Sequence, residues 1–326
     1  MISTKTVFIT CLAGLFAIIP PPNYANTSCQ IVAETLNNRF FYEGNCNNEP
    51  FYSCAGIVLH TLEKNTSMIA SVDGYPLTEK VCDKQSTVPW CPNSGGITRD
   101  VVSFSFLHKD ITANYGYPIF ANAGGTAGFI FKPNAIGEYL LCAYPVDAMS
   151  FSRQDCGCGE WGKPVCDNIN SIRGTCEQNG IYTDTDFFKK YIDNNHKWDI
   201  KKMCSFGVFT NNFLAFMATT EMIINNPDKQ DNWNPFCASG NSDKCAGWNE
   251  LVLKPWFNIP YKDIPIEAFF YVTDSKNLYP DSSKAKAIAA KLAKEFPGDV
   301  PVVGINIDNI HNESGTGPFF CDFQVP

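Results

Sequence analysis

Two charged residues, Asp147 and Arg153, follow an apolar stretch and are the first candidates for chemistry. The stretch, residues 139–144, predicts a buried strand that breaks at Pro145, and Cys156 comes after the charged pair. If the two side chains meet, Arg153 keeps Asp147 ionised, or both hold a polar ligand through paired hydrogen bonds. The alternative is a structural ion pair that anchors a cysteine-rich loop.

Two histidines are the next candidates, because each lies at the carboxyl end of a predicted strand. His60 follows the apolar residues 51–59, and His108 follows residues 101–107, in which large apolar side chains alternate with serines. If these strands are neighbours, we expect both imidazoles to share one end of the sheet with Asp147. Two histidines and a carboxylate could then serve acid–base chemistry or bind a metal. The alternative is two unrelated surface histidines.

Familiar signatures of enzymes and metal sites are missing. The chain has no H-E-x-x-H, no G-x-S-x-G, no P-loop and no dinucleotide-binding G-x-G-x-x-G. The cluster of Cys156, Cys158, Cys166 and Cys176 lacks the paired C-x₂₋₄-C spacing of zinc knuckles. We therefore expect no resident metal and no bound cofactor.

Residues 1–25 predict a secretory signal. Lys5 supplies its positive start, residues 7–19 form a short apolar core, and cleavage is expected at Ala25. Removing the signal takes Cys11 away and leaves fourteen of the fifteen cysteines, an even number spread along the chain. In an exported protein this pattern predicts disulfides formed in an oxidising compartment. We expect a protein that is secreted by way of the periplasm.

Charge and hydropathy narrow the choice of partner. With 25 Lys and Arg against 33 Asp and Glu, the formal net charge is −8, which disfavours nucleic acid and anionic membrane surfaces. No segment after the signal reaches about 18 uninterrupted apolar residues, so no transmembrane anchor is predicted. A small molecule or a host factor is the expected partner, and the protein is expected to be a monomer.

The order of the patterns predicts an α+β fold rich in disulfides. Residues 26–160 predict an antiparallel β layer that ends in the candidate site loop. Residues 161–326 predict helices and a terminal β–α–β unit packed on that layer, as a second domain or as part of one continuous domain. Further elements are predicted as a strand at 128–131, helices at 184–193 and 213–224, an irregular segment at 227–260, a strand at 266–272, a helix at about 282–296 and a strand at 300–307.

Five segments, taken in chain order, carry a family resemblance. They are SCAGIVLH (53–60), VSFSFLH (102–108), GFIF (128–131), LCAYPVDA (141–148) and IPIEAFFY (264–271), together with Arg153 and Cys156. The set resembles the halovibrin-like family of exported Gram-negative bacterial proteins, and the resemblance spans most of the chain after the signal. Within it, Asp147 and Arg153 match the family pattern.

The resemblance implies a secreted factor that acts on NAD, as a glycohydrolase or an ADP-ribosyltransferase, in host interaction. NAD would then be a substrate and not a bound cofactor. The chain departs from the family at His60 and His108, where the family has arginines. The transferase set of an arginine, a Ser-Thr-Ser strand and a Glu-x-Glu pair is also missing, with Ser-Phe-Ser at 103–105 and a lone Glu267 instead.

Three functions therefore stay open. The first is a secreted enzyme that cleaves the nicotinamide–ribose bond of NAD, in which Arg153 holds a phosphate or carboxylate and Asp147 stabilises the oxocarbenium charge. The second is a carbohydrate-active hydrolase or sugar-binding protein that uses Asp147 and Glu160 as paired carboxylates. The third is a non-enzymatic secreted protein that binds a host or envelope partner, with a purely structural loop at 138–160.

Overall fold

The structure is a computed structural model that describes residues 24–44, 46–47, 49–61, 102–111, 127–145, 156, 175–191, 204–208, 210–224, 249–253, 264–273, 282–296, 298–310 and 316–322. The helices are α1 (Tyr24–Phe40), α2 (Phe51–Cys54), α3 (Pro133–Tyr139), α4 (Thr175–Gln178), α5 (Asp184–Tyr191), α6 (Thr210–Ile224) and α7 (Ser282–Glu295). The strands are β1 (Ile57–Thr61), β2 (Val102–Leu107), β3 (Ala127–Phe131), β4 (Leu140–Tyr144), β5 (Glu250–Leu253), β6 (Ile266–Thr273), β7 (Val302–Asn306) and β8 (Phe319–Phe320). Short 3₁₀ turns follow β2 and β7, at Lys109–Ile111 and Ile307–Asn309.

Eight strands form one mixed sheet in the order β4–β5–β2–β1–β3–β6–β7–β8. Neighbouring strands are antiparallel, except that β6 and β7 run parallel and are joined through α7. The predicted terminal β–α–β unit is therefore confirmed, and with it the α+β class. Because β5 lies between β2 and β4, and β6 lies beside β3, strands from both sides of residue 160 share this sheet.

The strand directions define two ends of the sheet. At the end that we call the lower end, β2, β3 and β4 finish, while β1, β5, β6 and β7 begin. The opposite end is the upper end. Groups that follow β2 and β4 therefore emerge at the lower end, whereas groups that follow β1 emerge at the upper end.

Helices cover the sheet and give it two apolar cores. On the α1 face, Ala33, Leu36 and Phe40 pack against buried residues of β1, β3, β6 and β7. On the opposite face, which we call the α6/α7 face, Phe213 and Phe216 of α6 and the alanine-rich side of α7 complete a core rich in phenylalanine. Each fully buried side chain of this size contributes about 1.5–3 kcal/mol. The alternating apolar residues of β2 face this second core, as its sequence pattern predicts.

Helix α5 begins where the sequence predicts it. The Oγ1 atom of Thr183 accepts a hydrogen bond from the backbone N–H of Asp186 at 3.1 Å, and Oδ2 of Asp186 accepts one from the backbone N–H of Thr183 at 3.2 Å. This reciprocal pair satisfies donors that the first helical turn leaves without partners. The side-chain bond with Thr183, followed by the backbone bonds, lowers the pKa of Asp186 below its ordinary value.

The segment before β1 differs from the predicted strand at 51–59. Residues Phe51–Cys54 form one helical turn, and β1 begins at Ile57. The carbonyl of Pro50 accepts hydrogen bonds from both the backbone N–H and the hydroxyl of Ser53, which closes this turn. An apolar run of this length fits a buried turn as well as a strand, so its periodicity could not separate the two.

Three further elements differ from the sequence expectations. No pattern predicted α1, and its stability comes from the packing of one face on the sheet. Strand β5 lies inside the 227–260 segment that was predicted to be irregular, and its four residues are ordered by pairing with both β2 and β4. Tyr139 ends α3 and does not begin the strand that follows it.

Disulfides tie distant parts of the described chain together, as the cysteine count predicts. The described pairs are Cys29–Cys321, Cys46–Cys54, Cys142–Cys156 and Cys176–Cys204. The first of them fastens the opening helix to the residue after the last strand, 292 positions away. Among the helices of the described ranges, none is both long and apolar enough to cross a membrane.

Candidate functional site

Strand β4 carries the loop that holds the first candidates from the sequence. All five of its residues are buried, and it finishes with Tyr144 at the lower end of the sheet. Cys142, in the middle of β4, forms a disulfide with Cys156. Residues 143–155 are therefore closed into a covalent ring on a buried strand, and we call them the bridged loop.

The charged candidates of the bridged loop, Asp147 and Arg153, lie outside the described residues. That the two side chains meet stays a prediction, and Glu160 also lies outside the described residues.

A buried glutamate lies at the base of the bridged loop. Glu250 stands opposite Tyr144 in the ladder between β4 and β5 and is 2% exposed. Val252 stands opposite Cys142, and residues directly opposite in antiparallel strands point to the same face. The Glu250 side chain therefore lies on the face that carries the Cys142 disulfide. Because Glu250 stands beside the end of β4, where the bridged loop begins, we include it in the candidate site.

Asn249 fixes the start of β5 and so the position of Glu250. Its Oδ1 atom accepts a hydrogen bond from the Phe106 N–H at 2.7 Å, and its Nδ2 donates to the Phe106 carbonyl at 2.8 Å. The amide side chain thus takes the place of one further residue in the ladder with β2. Asn249 is 1% exposed, so both hydrogen bonds are shielded from water.

His108 lies at the same end of the sheet, and both of its ring nitrogens are engaged. Nε2 donates to the carbonyl oxygen of Tyr42 at 2.9 Å, and Nδ1 accepts from the backbone N–H of Asp110 at 3.3 Å. Burial lowers the pKa of His108, although the Tyr42 carbonyl and the Asp110 carboxylate oppose this shift. The geometry therefore describes a neutral imidazole that links the chain after α1 to the end of β2.

His60 lies at the opposite end of the sheet from His108. It is a buried residue of β1, and its ring contacts Phe104 and Phe129 with centroid distances of 5.2 and 5.5 Å. The two strands are neighbours, as we supposed, but they run antiparallel with Ile57 opposite Leu107. His108 lies four residues along β2 from the position opposite His60, so at about 3.4 Å per residue the two histidines are about 14 Å apart along the strands. The expectation that they share one end of the sheet is therefore wrong.

The outer edge of β4 is covered by a short segment, residues 204–208. Phe206 and Ala143 exchange both backbone hydrogen bonds, at 2.8 and 3.0 Å. The disulfide between Cys176 and Cys204 fastens α4 to this segment, and the Cys176 N–H donates to the carbonyl of Ser205. Helix α4 is therefore held at a fixed distance from β4 and from the base of the bridged loop.

Glu177 is the acidic residue that α4 presents to this segment. Its Oε1 atom accepts a hydrogen bond from the Gly207 N–H at 3.0 Å. Its Oε2 atom is buried and has no hydrogen-bond partner among the residues that the structure describes. Burial raises the pKa of Glu177, and backbone hydrogen bonds from Glu177 itself and from Gly207 only partly oppose this. Such a group is either a strained structural residue or part of a functional site.

The described residues thus place two carboxylates on the two sides of β4. Glu250 lies toward the centre of the sheet, and Glu177 lies beyond the outer edge. Sequence reasoning missed both, because an isolated glutamate beside a cysteine or before a short apolar run forms no motif. Carboxylates in such positions can take up a proton or stabilise positive charge on a substrate. Within the described ranges, no group of three His, Cys, Asp or Glu side chains is arranged to hold a metal ion.

Comparisons of the chain with protein-family models, with curated proteins and with solved structures find no match. Glu250 and Glu177 lie on the two sides of β4, the strand that leads into the bridged loop.

Proposed function

We propose that this protein is an exported bacterial effector-like enzyme that cleaves the nicotinamide–ribose bond of NAD, as its resemblance to the halovibrin-like family implies. Arg153 holds a phosphate of the substrate, and Asp147 stabilises the positive charge that forms on the ribose as nicotinamide leaves. The observation that supports this most is the disulfide between Cys142 and Cys156. It fastens the loop that bears both residues to a buried strand.

A fastened loop matters because electrostatic catalysis depends on groups that are held in place before the reaction. Charged side chains on a freely moving loop lose much of their effect, since they must be ordered in each catalytic cycle. The disulfide and the five buried residues of β4 reduce that cost for the bridged loop. The side chain of Glu250 is buried at the base of the same loop, opposite Tyr144.

Neither histidine is a catalytic residue in this proposal. His108 holds the chain after α1 against the end of β2, because each of its ring nitrogens already has a hydrogen bond. His60 lies at the other end of the sheet among phenylalanine rings and is not part of the bridged-loop site. We therefore propose Asp147 and Arg153, and not the histidines, as the catalytic residues.

The first test measures NAD hydrolysis by the purified protein and by Asp147→Asn and Arg153→Ala variants. We expect turnover in the parent protein and a loss of at least about tenfold in each variant, which corresponds to about 1.4 kcal/mol of barrier. Asp299→Asn and Lys294→Ala are matched controls, because both residues are exposed. They belong to α7 and the residues between α7 and β7, and four strands of the sheet separate β6 and β7 from β4. The controls should keep the parent rate.

The outcome of this test decides between the open functions. Folded parent protein that neither binds nor hydrolyses NAD would end the NAD proposal. Polysaccharide and glycan-array assays would then examine the carbohydrate alternative. If those assays also show no activity and no binding, the non-enzymatic alternative is tested by capturing a host or envelope partner on the immobilised protein.

Export is a separate part of the proposal, supported by the four described disulfides. The full chain should be expressed in a Gram-negative host with its N-terminal residues intact. We expect recovery from the periplasm or the medium, a mass that corresponds to cleavage at Ala25, and disulfides that form without added oxidant. A reduced, unprocessed chain in the cytoplasm would contradict export and leave the enzymatic test unaffected.

A further inference from the structure

The Cys29–Cys321 disulfide differs from two other described bridges in its access to solvent. It joins α1 to the residue after β8, and Cys321 is partly exposed. In the Cys142–Cys156 and Cys176–Cys204 bridges, every cysteine is at most 3% exposed. Reduction requires a thiolate to attack a sulfur atom directly, so access decides which bridge a reductant opens first. The bridge on α1 is therefore more accessible to a reductant than these two shielded bridges.

A second partly exposed bridge lies within one short turn of the chain. Cys54 is partly exposed, and its disulfide with Cys46 spans only 8 positions. Opening that bridge releases a small loop next to α2. Opening Cys29–Cys321 instead removes a covalent link between elements that are 292 positions apart. Of these two accessible bridges, only the one on α1 fastens a long helix to the edge of the sheet.

The carboxyl half of α1 is attached to the sheet by contacts that do not involve the disulfide. Leu36 and Phe40 are fully buried in the core of the α1 face. Asn37 makes two hydrogen bonds with the backbone of β8, and Arg39 forms the buried ion pair with Glu267. This half of the helix therefore stays docked when the bridge is opened.

The amino half of α1 is attached much more weakly. Among residues 28–33, the buried side chains are those of Cys29 and Ala33, and Val32 is only partly buried. Ile31 is 57% exposed. An alanine buries far less apolar area than a leucine or a phenylalanine, and a short helical segment is unstable in water without packing. The disulfide is therefore the main contact that holds residues 28–33 against the sheet.

We propose that Cys29–Cys321 is a redox-sensitive latch, whose reduction releases the amino half of α1 while the carboxyl half stays docked. A dithiol reductant supplies two electrons and two protons, so the S–S bond becomes two thiols and the reductant becomes a disulfide. The released half pivots between Ala33 and Leu36, where small buried side chains give way to large ones. Release uncovers the start of β7, because the Cys29 sulfur lies 3.2 Å from the Val302 carbonyl oxygen.

The latch gives the protein a closed form in an oxidising compartment and an open form in a reducing one. This difference does not depend on the proposed hydrolysis of NAD, since none of the residues involved belongs to the bridged loop. Its test accordingly uses the structure of α1 as the readout and needs no substrate.

The first experiment follows which bridge a mild reductant opens. Oxidised full-length protein is treated with increasing dithiothreitol without denaturant, free thiols are alkylated, and the modified cysteines are identified by peptide mass spectrometry. We expect Cys29 and Cys321 to be alkylated at least about tenfold faster than the cysteines of the two shielded bridges. Equal or slower alkylation of this pair would overturn the latch.

The second experiment measures what reduction does to α1. Under the same conditions, amide hydrogen exchange in residues 28–33 should become at least about tenfold faster, while residues 36–40 keep their protection. Removing the reductant and reoxidising the protein should restore the protection. Unchanged exchange would make the bridge a structural tie alone, and a loss of protection along the whole chain would show global unfolding; either result overturns the inference.

Two pairs of substitutions separate this bridge from the other accessible one. Cys29→Ser with Cys321→Ser should show the open amino half of α1 without any reductant, and a closed α1 in this variant would contradict the latch. Cys46→Ser with Cys54→Ser is the matched control, which should keep α1 closed until reductant is added. A control that is already open would show that Cys46–Cys54 holds α1. If the first variant does not fold, the reduction of the parent protein decides the question.

Discussion

The two edges of the sheet are finished in different ways. At the β8 edge, the Oδ1 atom of Asn37 accepts a hydrogen bond from the backbone N–H of Phe319 at 2.9 Å. The Nδ2 atom of Asn37 donates one to the backbone carbonyl of Phe319 at 2.8 Å. The Cys29–Cys321 disulfide fastens the same strand to α1. At the β4 edge, one pair of backbone bonds to Phe206 covers the strand. The glutamate behind that cover, Glu177, has one oxygen atom without a partner among the described residues.

The comparison shows where polar side chains stabilise the fold by pairing with each other and where a polar atom has no partner among the described residues. Near the β8 side, Arg39 and Glu267 form a buried ion pair at 2.6 Å between residues 228 positions apart. Glu267 is the extra residue of a β-bulge, since Ile130 pairs with Ala268 and Phe131 with Ile266. Arg39 and Glu267 neutralise each other's charge. Glu177 has no such cation beside it in the described structure, which is why we place function at the β4 edge.

The largest effect is expected from breaking the ion pair on the β8 side. Arg39→Ala leaves Glu267 charged and largely buried, so we expect the free energy of unfolding to fall by about 3–5 kcal/mol. Denaturant titration measures this change. Glu43→Ala removes an exposed partner of Lys109 and should have a far smaller effect. The double variant Arg39→Met with Glu267→Leu should lose less than Arg39→Ala; an equal or larger loss would show that charge compensation is not the cause.

A smaller loss is expected when the asparagine clamp between β5 and β2 is removed. Asn249→Ala leaves the buried N–H and carbonyl of Phe106 without partners, so the free energy of unfolding should fall by about 2–4 kcal/mol. The same change at Asn37 affects groups that are only partly buried and should cost about 1–2 kcal/mol. Equal losses at the two positions, measured by the same titration, would contradict the difference between the edges.

His108 should affect stability in a pH-dependent way. His108→Leu removes two hydrogen bonds and should lower the free energy of unfolding at pH 7 by about 1–3 kcal/mol. The lowered pKa means that the unfolded chain binds a proton on this residue more readily than the folded chain does. Its stabilising contribution is therefore complete above about pH 6.5 and is lost as the pH falls through the folded-state pKa. A variant that keeps the parent's slope in this window would show that another group causes it.

The smallest effect on stability, and of opposite sign, is expected from Glu177→Gln. The raised pKa of Glu177 means that the folded chain holds this proton more tightly than the unfolded chain. The group therefore favours folding at low pH, and that advantage is lost as the pH rises from about 4.3 through its folded-state pKa. Above that range the glutamine variant should be slightly more stable than the parent protein. A variant that is less stable at every pH would point to a structural role for this carboxylate.

Elements with a strong local pattern could be predicted from the sequence. Thr183 and Asp186 form the capping box that their spacing predicts, and α5 begins between them. The alternation in β2 and the apolar stripe of α7 likewise place these elements correctly. In each case the signal comes from neighbours within about one helical turn or a few strand residues, which the chain order itself sets.

Elements of the candidate site that depend on distant partners could not be predicted. The four residues of β5 become a strand because β2 and β4 pair with them, and this brings Glu250 to Tyr144. The even number of cysteines predicts disulfides, but it does not predict that Cys142 pairs with Cys156. Many other pairings would also use every cysteine. The Glu177 carboxyl group is held by segment 204–208, since the Gly207 N–H donates to its Oε1 atom, and no local pattern in the sequence predicts this contact.

The amino-acid sequence by itself determined the α+β class, the disulfide-rich character, the terminal β–α–β unit and the strand that leads into the bridged loop. Only the tertiary structure decided that β1 and β2 are direct neighbours with Ile57 opposite Leu107, which separates His60 from His108. The tertiary structure alone also placed Glu177 and Glu250 on the two sides of β4. Periodicity and capping are local and can be read along the chain. Strand partners and burial are set by contacts between residues that are far apart in sequence, and these form only when the whole chain folds.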